Sequence, residues 1–322
     1  GECQFHPGKK LKLLKEETYF FKLSKYQKQL LKLYQNPDFV LPKERRNEII
    51  NRVREGLQDL SITRTNFKWG VPFPLDKEHV VYVWFEALQS YLTGAGKNQE
   101  FWPADVHILG KDNGWFHAVI WPAMLIASGY ELPKTVFIHG FLTFNGRKIS
   151  KSLGNVISPD YLVNKYGSDS IRYYALRNFV FGEDGDFSEK VLVERHNNEL
   201  ANKLGNLVSR VSSLAEKYGI EKSDNKLLKK LKLKKIEKHI ETFEFDKALN
   251  EIFAFIDLCN EYVQSNKIWE TKDRKALYEL KESILKIAEL LWPFIPETSE
   301  KIKKQLSAKN IKKGEILFKK IG

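Results

Sequence analysis

Cysteine is nearly absent from this chain, with only Cys3 and Cys259 among 322 residues. A disulfide framework is thereby excluded, and a reducing cytosol is the natural compartment. No apolar run approaches the roughly 20 residues that a bilayer-spanning helix needs, so the reading is of a soluble, cytoplasmic protein without a membrane partner. The first ten residues show neither a signal-peptide pattern nor an initiator Met. Metal ligands are scarce as well. Cys3-x-x-His6 is half of a zinc knuckle, a closed site needs four ligands, and nothing downstream supplies the other two. Acidic side chains are in deficit, 41 against 53 Lys and Arg, for a formal charge of +12. That balance favours polyanionic partners, but a lysine-rich background gives the same number, so charge alone leaves nucleic acid and a solvated basic surface both open. Core material is plentiful: 42% of residues are hydrophobic, 21 are Phe, and the length suffices for two domains.

Along the chain, Tyr26, Leu30, Leu31, Leu33 and Tyr34 recur at helical spacing, as do Ile49, Ile50, Val53 and Leu57. Leu60 to Arg64 reads as extended. Three apolar runs, Val80 to Trp84, Val106 to Leu109 and Thr135 to His139, alternate with helical patterns at about 86–92 and 115–128, the latter closed by Gly129. Such β-α-β-α-β order predicts a parallel sheet with right-handed crossovers, whose ligands bind beyond the strand C-termini. Trp84, Gly110, Asp112 and the segment after His139 come from those ends. Beyond Phe181-Gly-Glu-Asp-Gly-Asp-Phe-Ser188, read as a linker with Ser188 as a helix N-cap, helices are expected at about 189–217, 226–243, 246–266, 274–291 and 296–306. Eight lysines between Lys222 and Lys238 form a basic run, most simply a solvated face.

The stretch Gly146-Arg-Lys-Ile-Ser-Lys-Ser-Leu-Gly-Asn155 follows an Asn-Gly turn signal and precedes the helix start Ser158-Pro159. Lys148 and Lys151, interleaved with the hydroxyls of Ser150 and Ser152, suit a polyphosphate whose charge shifts during reaction. Composition alone favours an ordinary solvated loop. The literal order Lys-Ile-Ser-Lys-Ser resembles the "KMSKS" loop of class I aminoacyl-tRNA synthetases, with Ile149 in place of Met.

Further residues narrow the resemblance to the methionyl-tRNA synthetase family: Tyr82-Val-Trp-Phe-Glu-Ala87, Gly110-Lys-Asp112, Phe116-His117, Trp121-Pro-Ala-Met124, the 181–188 segment and Glu199-Leu-Ala-Asn-Lys-Leu-Gly-Asn-Leu207. The resemblance implies an α/β fold, the second half of a parallel Rossmann-type sheet carrying the KMSKS-type loop, followed by an all-α anticodon-binding helix bundle. It implies three regions: 1–22 as the remnant of a connective insertion, 23–187 as the second half of the catalytic domain, and 188–322 as the anticodon-binding domain. It assigns Trp84, Tyr91, Phe116 and His117 to the methionine pocket. Glu86, Gly110, Asp112 and Lys151 go to ATP and the adenylate, and Lys148, Ser150, Lys151 and Ser152 to catalysis. Asn206, Arg210 and Trp269 become anticodon readers, and Cys3 and His6 zinc ligands. Glu86 stands where the family more often has Asp, and Ile268 where it usually has Pro. ATP and Mg2+ are the implied cofactors, with Zn2+ tied to the incomplete knuckle. Initiator and elongator methionine tRNA and L-methionine are the implied partners.

No His-Ile-Gly-His tetrapeptide, the family's other ATP-phosphate motif, occurs in the 322 residues. The expectation is therefore a chain that starts within the insertion and needs the N-terminal half as a further partner, with doubtful activity alone. Two rivals remain open: another class I synthetase, separable by the amino acid that drives pyrophosphate exchange, and a non-catalytic tRNA-binding fragment.

Overall fold

The computed structural model describes residues 2–3, 6–10, 15–96, 100–144, 146–149 and 157–322, with the backbone alone at 2–3, 6–10 and 148. The chain divides into two units, Gly1–His139 and Gly140–Gly322.

In the first unit β1 (Glu2–Cys3) and β2 (His6–Lys10) pair antiparallel, with Cys3 opposite His6. Then come β3 (Phe20–Phe21), α1 (Gln27–Leu33), β4 (Val40–Leu41), α2 (Lys43–Arg54), β5 (Leu60–Ser61) and β6 (Thr63–Arg64). They are followed by β7 (Pro72–Phe73), β8 (Asp76–Val81), α3 (Val83–Ala87), α4 (Ser90–Gly94), β9 (Val106–Gly110), α5 (Trp121–Ser128) and β10 (Thr135–His139). The parallel sheet has the order β4-β10-β9, with Val136 beside Val40 and His139 beside Gly110.

One expected strand is displaced. Val80 to Trp84 does not join the parallel sheet: β8 ends at Val81 and lies antiparallel between β6 and β7. The chain turns helical at Val83, which puts Trp84 in the first turn of α3 rather than at a strand end. A run of consecutive apolar residues fits strand and helix equally, and here Tyr82 marks the change. The third parallel strand is instead the two-residue β4 ahead of α2.

Between β9 and α5, Phe116–Ile120 forms a π-helical stretch, and Ala118 to Ile120 with Trp121, Ala123 and Leu125 are all buried. Inside it the Ala118 carbonyl accepts a 2.6 Å bond from the buried Tyr34 hydroxyl. Gly129 closes α5 at φ 74°, ψ 18°, the left-handed cap expected of glycine.

The second unit opens with β11 (Leu142–Phe144), β12 (Arg147–Lys148), α6 (Pro159–Tyr166), α7 (Ser168–Asn178) and β13 (Gly185–Phe187). α8 (Glu189–Arg195) runs through a π-helical stretch, His196–Gly205, into α9 (Asn206–Tyr218). α10 (Leu233–Glu241), α11 (Phe245–Ser265), α12 (Ile268–Thr271), α13 (Arg274–Leu291) and α14 (Pro296–Leu306) complete it. The expected helices are present, and Ser188 and Ser158 cap α8 and α6 through bonds from Val191 N and Tyr161 N.

The 181–188 segment is not a bare linker. β13 pairs parallel with β11, and β12 pairs antiparallel on its other side. Two glycines make that docking possible: a Cβ on Gly140 would fall 2.2 Å from the Glu183 carbonyl oxygen, and one on Gly185 2.4 Å from the Phe179 ring. The bundle core runs through Leu207, Val211, Ile252, Ile256, Leu280 and Ile284, all buried, and Tyr173 of α7 belongs to it. That insertion is why residues 140–187, grouped by sequence with the sheet, pack within the helical unit.

Candidate functional site

The four residues expected to hold an apolar side chain come together in the first unit. Trp84 stacks on Phe116 with ring centroids 4.2 Å apart and planes 14° from parallel, and His117 stands edge-on to Trp84 at 6.5 Å. The Tyr91 hydroxyl lies 2.8 Å from His117 Nε2, while His117 Nδ1 lies 3.1 Å from the Asn113 carbonyl oxygen. A carbonyl only accepts, so Nδ1 carries the proton; Nε2 is then the acceptor and the Tyr91 hydroxyl donates. Burial pushes the His117 pKa down, and burial also raises that of Tyr91. Both therefore stay neutral at physiological pH, leaving an uncharged pocket of aromatic faces and one oriented hydroxyl. Such surroundings match a soft, polarizable, neutral side chain.

Sequence reasoning missed His107. It lies on β9, 6% exposed, with its ring 4.3 Å from Tyr91 and 6.1 Å from His117. Burial, with His117 adding to it, pushes its pKa down to about 4. Its Nε2 has no hydrogen-bond partner among the described residues. The only signal was a polar residue in an otherwise apolar strand, and it becomes meaningful only once Tyr91 is known to lie against it.

At the C-terminal end of β9, Gly110 and Asp112 sit where the sheet argument puts ligand contacts. Asp112 Oδ1 lies 3.0 Å from where a Cβ on Gly110 would stand, so glycine there leaves room for the carboxylate. Glu86 lies in α3 beside a groove of about 860 Å³ that Val71, Phe73 and Phe85 also line.

In the second unit, Lys148 is the last residue of β12, paired with Thr143; Ser150, Lys151 and Ser152 lie outside the described residues. Asp186, also missed from sequence, ties the hairpin that leads into them. Its Oδ1 accepts from Gly146 N at 2.9 Å and from Thr143 Oγ1 at 2.7 Å, and those bonds hold its pKa below the usual carboxylate range. Gly146 itself has φ 70°, in line with the Asn-Gly turn signal.

Asn206 is exposed and Arg210 half-buried, one turn apart on α9. Trp269, 40% exposed, lies in α12, and its carbonyl accepts from the hydroxyl of Tyr218 at the far end of α9. The structure thus brings Asn206 and Arg210 onto one face and ties Trp269 near the opposite end of the same helix. Among the described residues no three His, Cys, Asp or Glu side chains converge as a metal site, and the side chains of Cys3 and His6 lie outside the described set. No helix among the described residues is long and apolar enough to cross a membrane.

A family model described as tRNA synthetases class I (M) matches residues 3–212, and one described as the anticodon-binding domain of tRNA ligase matches residues 224–320. The methionine–tRNA ligase of Thermotoga maritima is 45% identical over 95% of this chain and 53% of its own length. The methionine–tRNA ligase of Rickettsia conorii is 41% identical over 97% of this chain and 66% of its own. The crystal structure of Mycobacterium tuberculosis methionyl-tRNA synthetase bound by methionyl-adenylate is similar at a TM-score of 0.84 and 39% identity, over 90% of this chain and 63% of that one. The chain spans about half to two-thirds of the length of these relatives. The family model matched over residues 3–212, with relatives 41% and 45% identical over nearly the whole chain, makes this chain a member of the class I tRNA synthetases (M).

Proposed function

We propose that this chain supplies the amino-acid pocket, the lysine loop and the tRNA-reading bundle of a methionine–tRNA ligase. The observation that carries the reading is the Tyr91–His117 pair beside the Trp84–Phe116 stack, a neutral aromatic pocket beside the ligand-facing end of a parallel sheet. Methionine's thioether packs on these rings, and the Tyr91 hydroxyl fixes its depth. The reaction has two steps. The methionine carboxylate oxygen attacks the α-phosphorus of ATP, forming the mixed anhydride and breaking the bond to pyrophosphate. The terminal ribose hydroxyl of the tRNA then attacks the anhydride carbonyl and releases AMP. Both steps rely on positioning and charge stabilisation. Lys148 and Lys151 neutralise the departing pyrophosphate, with Ser150 and Ser152 as hydroxyl donors. Gly110, Asp112 and Glu86 face the adenosine.

Asn206, Arg210 and Trp269 read the anticodon, Asn and Arg by base-edge hydrogen bonds and Trp by stacking. Their separation along α9 supports distinct stations for different bases. The match of residues 224–320 to an anticodon-binding domain model also supports a second reading, a tRNA-binding module without its own activation chemistry. Titration of the chain with L-methionine and with methionine tRNA separates them. Binding of both supports the ligase reading, binding of tRNA alone supports the module, and tRNA binding indifferent to the anticodon removes both.

A further inference from the structure

The four-residue helix α12 is held in an unusual way. Lys267 before it (φ 43°, ψ 50°) and Lys272 after it (φ 55°, ψ 30°) are both in the left-handed region, and neither is glycine. Such residues persist only where the surroundings over-determine them. Here the surroundings are visible. Ile268 is fully buried, anchoring the turn in the bundle core, while its neighbour Trp269 is 40% exposed. Thr271 Oγ1 reaches back to the carbonyls of Asn266 at 3.1 Å and Lys267 at 3.3 Å. From α9, the Tyr218 hydroxyl donates to the Trp269 carbonyl at 3.4 Å, and the Lys272 ammonium sits 6.0 Å from the Tyr218 ring centroid. The end of α9 is fixed in turn against α13: Glu221 N donates to the Arg274 carbonyl, and Arg274 Nη2 to that of Ile220.

We infer that Tyr218 and Thr271 are positioning residues for Trp269, holding its strained turn so that the indole is presented outward from the bundle to stack on an RNA base. The inference rests on the proposed anticodon reading and goes further, because it names what holds the backbone that carries the indole. A stacking platform that is already ordered loses less freedom on binding, so its rigidity enters the affinity for the base it meets and for no other part of the RNA.

The test measures affinity of the intact chain for methionine tRNA with its CAU anticodon and for the same tRNA made abasic at its three anticodon positions, which removes every base the indole could stack on. Trp269→Ala is expected to weaken binding of the CAU form about tenfold. Tyr218→Phe, which keeps the ring, and Thr271→Val, which keeps the shape, are each expected to weaken it roughly threefold. Tyr218→Leu, which removes the ring as well, weakens it further. None of these four substitutions changes affinity for the altered tRNA, and Tyr218→Phe has no further effect once Trp269 is Ala. Equal losses on both tRNAs, or a Tyr218→Phe effect that survives Trp269→Ala, overturn the inference. A normal Trp269 dependence with silent Tyr218→Phe and Thr271→Val overturns the inference alone; a silent Trp269→Ala removes the anticodon reading and the inference with it.

Discussion

In the first unit the buried Thr63 and His79 pair with each other, while two further buried imidazoles lie beside the Tyr91 phenol and one of them, His107, has an Nε2 with no partner among the described residues. In the second, Glu199 and His196 are each tied on several sides, although Asp169 Oδ1, Arg177 Nε, Ser283 Oγ and Ser299 Oγ have no hydrogen-bond partner among the described residues. Glu199 accepts from the buried Tyr173 hydroxyl and from Arg195 and Arg177, and His196 lies between Ser170 Oγ at 2.9 Å and the Lys319 carbonyl at 2.8 Å. A fully paired network specifies one packing, whereas an unpaired buried nitrogen leaves interaction capacity for something else. The difference teaches where to look for ligand binding: at the incompletely satisfied cluster, with the paired network as scaffold.

The sharpest way to break this contrast is to unpair the scaffold. Glu199→Ala strips the acceptor from Tyr173 and leaves two guanidiniums without their carboxylate, so the second unit is expected to lose about 3 kcal/mol. Hydrogen exchange read separately over residues 140–322 and 1–139 checks it; equal loss of protection in both units contradicts the assignment.

Acid acts most on the first unit, where burial lowers the pKa of two histidines, although burial also lowers the His196 pKa in the second. A histidine whose folded pKa is lowered binds fewer protons folded than unfolded, so stability rises with pH between the two values. For His107 the window runs from about 4 up to its ordinary 6.5, and His117 shifts the same way. Stability of the first unit is thus complete above about pH 6.5 and falls as the pH drops toward 4, by on the order of 1–3 kcal/mol for His107. Urea midpoints at pH 7 and pH 5 measure it, and His107→Gln flattens the slope if His107 is the source.

Smaller still is the expected effect of Tyr91→Phe. It removes the donor to His117 Nε2 while keeping the ring, which lowers stability by about 1 kcal/mol and weakens methionine binding several-fold. Unchanged methionine affinity sets Tyr91 outside the pocket.

How much of this was legible in the sequence follows the same divide. The bundle's helices carry apolar residues at spacings of three and four, Leu277, Leu280, Ile284 and Ile287 in α13 among them, and their ends carry caps such as Asp273, so local pattern located them. α12 escaped because four residues are too few for a period. In the first unit the family motifs pointed to Trp84, Tyr91, Phe116 and His117, and the structure brings these together. The strand assignment around Trp84 failed because Val80 to Phe85 is apolar throughout and no local rule marks where strand becomes helix. β4 is two residues long, and its role exists only through pairing with β10, almost a hundred positions away. His107 and Asp186 were missed for the same reason: each acquires meaning from a distant partner, Tyr91 or Gly146, and not from its neighbours in sequence.

The central claim is that His117, protonated on Nδ1 and accepting from Tyr91, faces the neutral pocket proposed for methionine. Imidazole nitrogen NMR of the labelled chain reads this directly. The account predicts a His117 signal of the Nδ1–H tautomer at pH 7 that moves when L-methionine is added and stays put with L-alanine. An Nε2–H tautomer, or a signal indifferent to methionine, would contradict it.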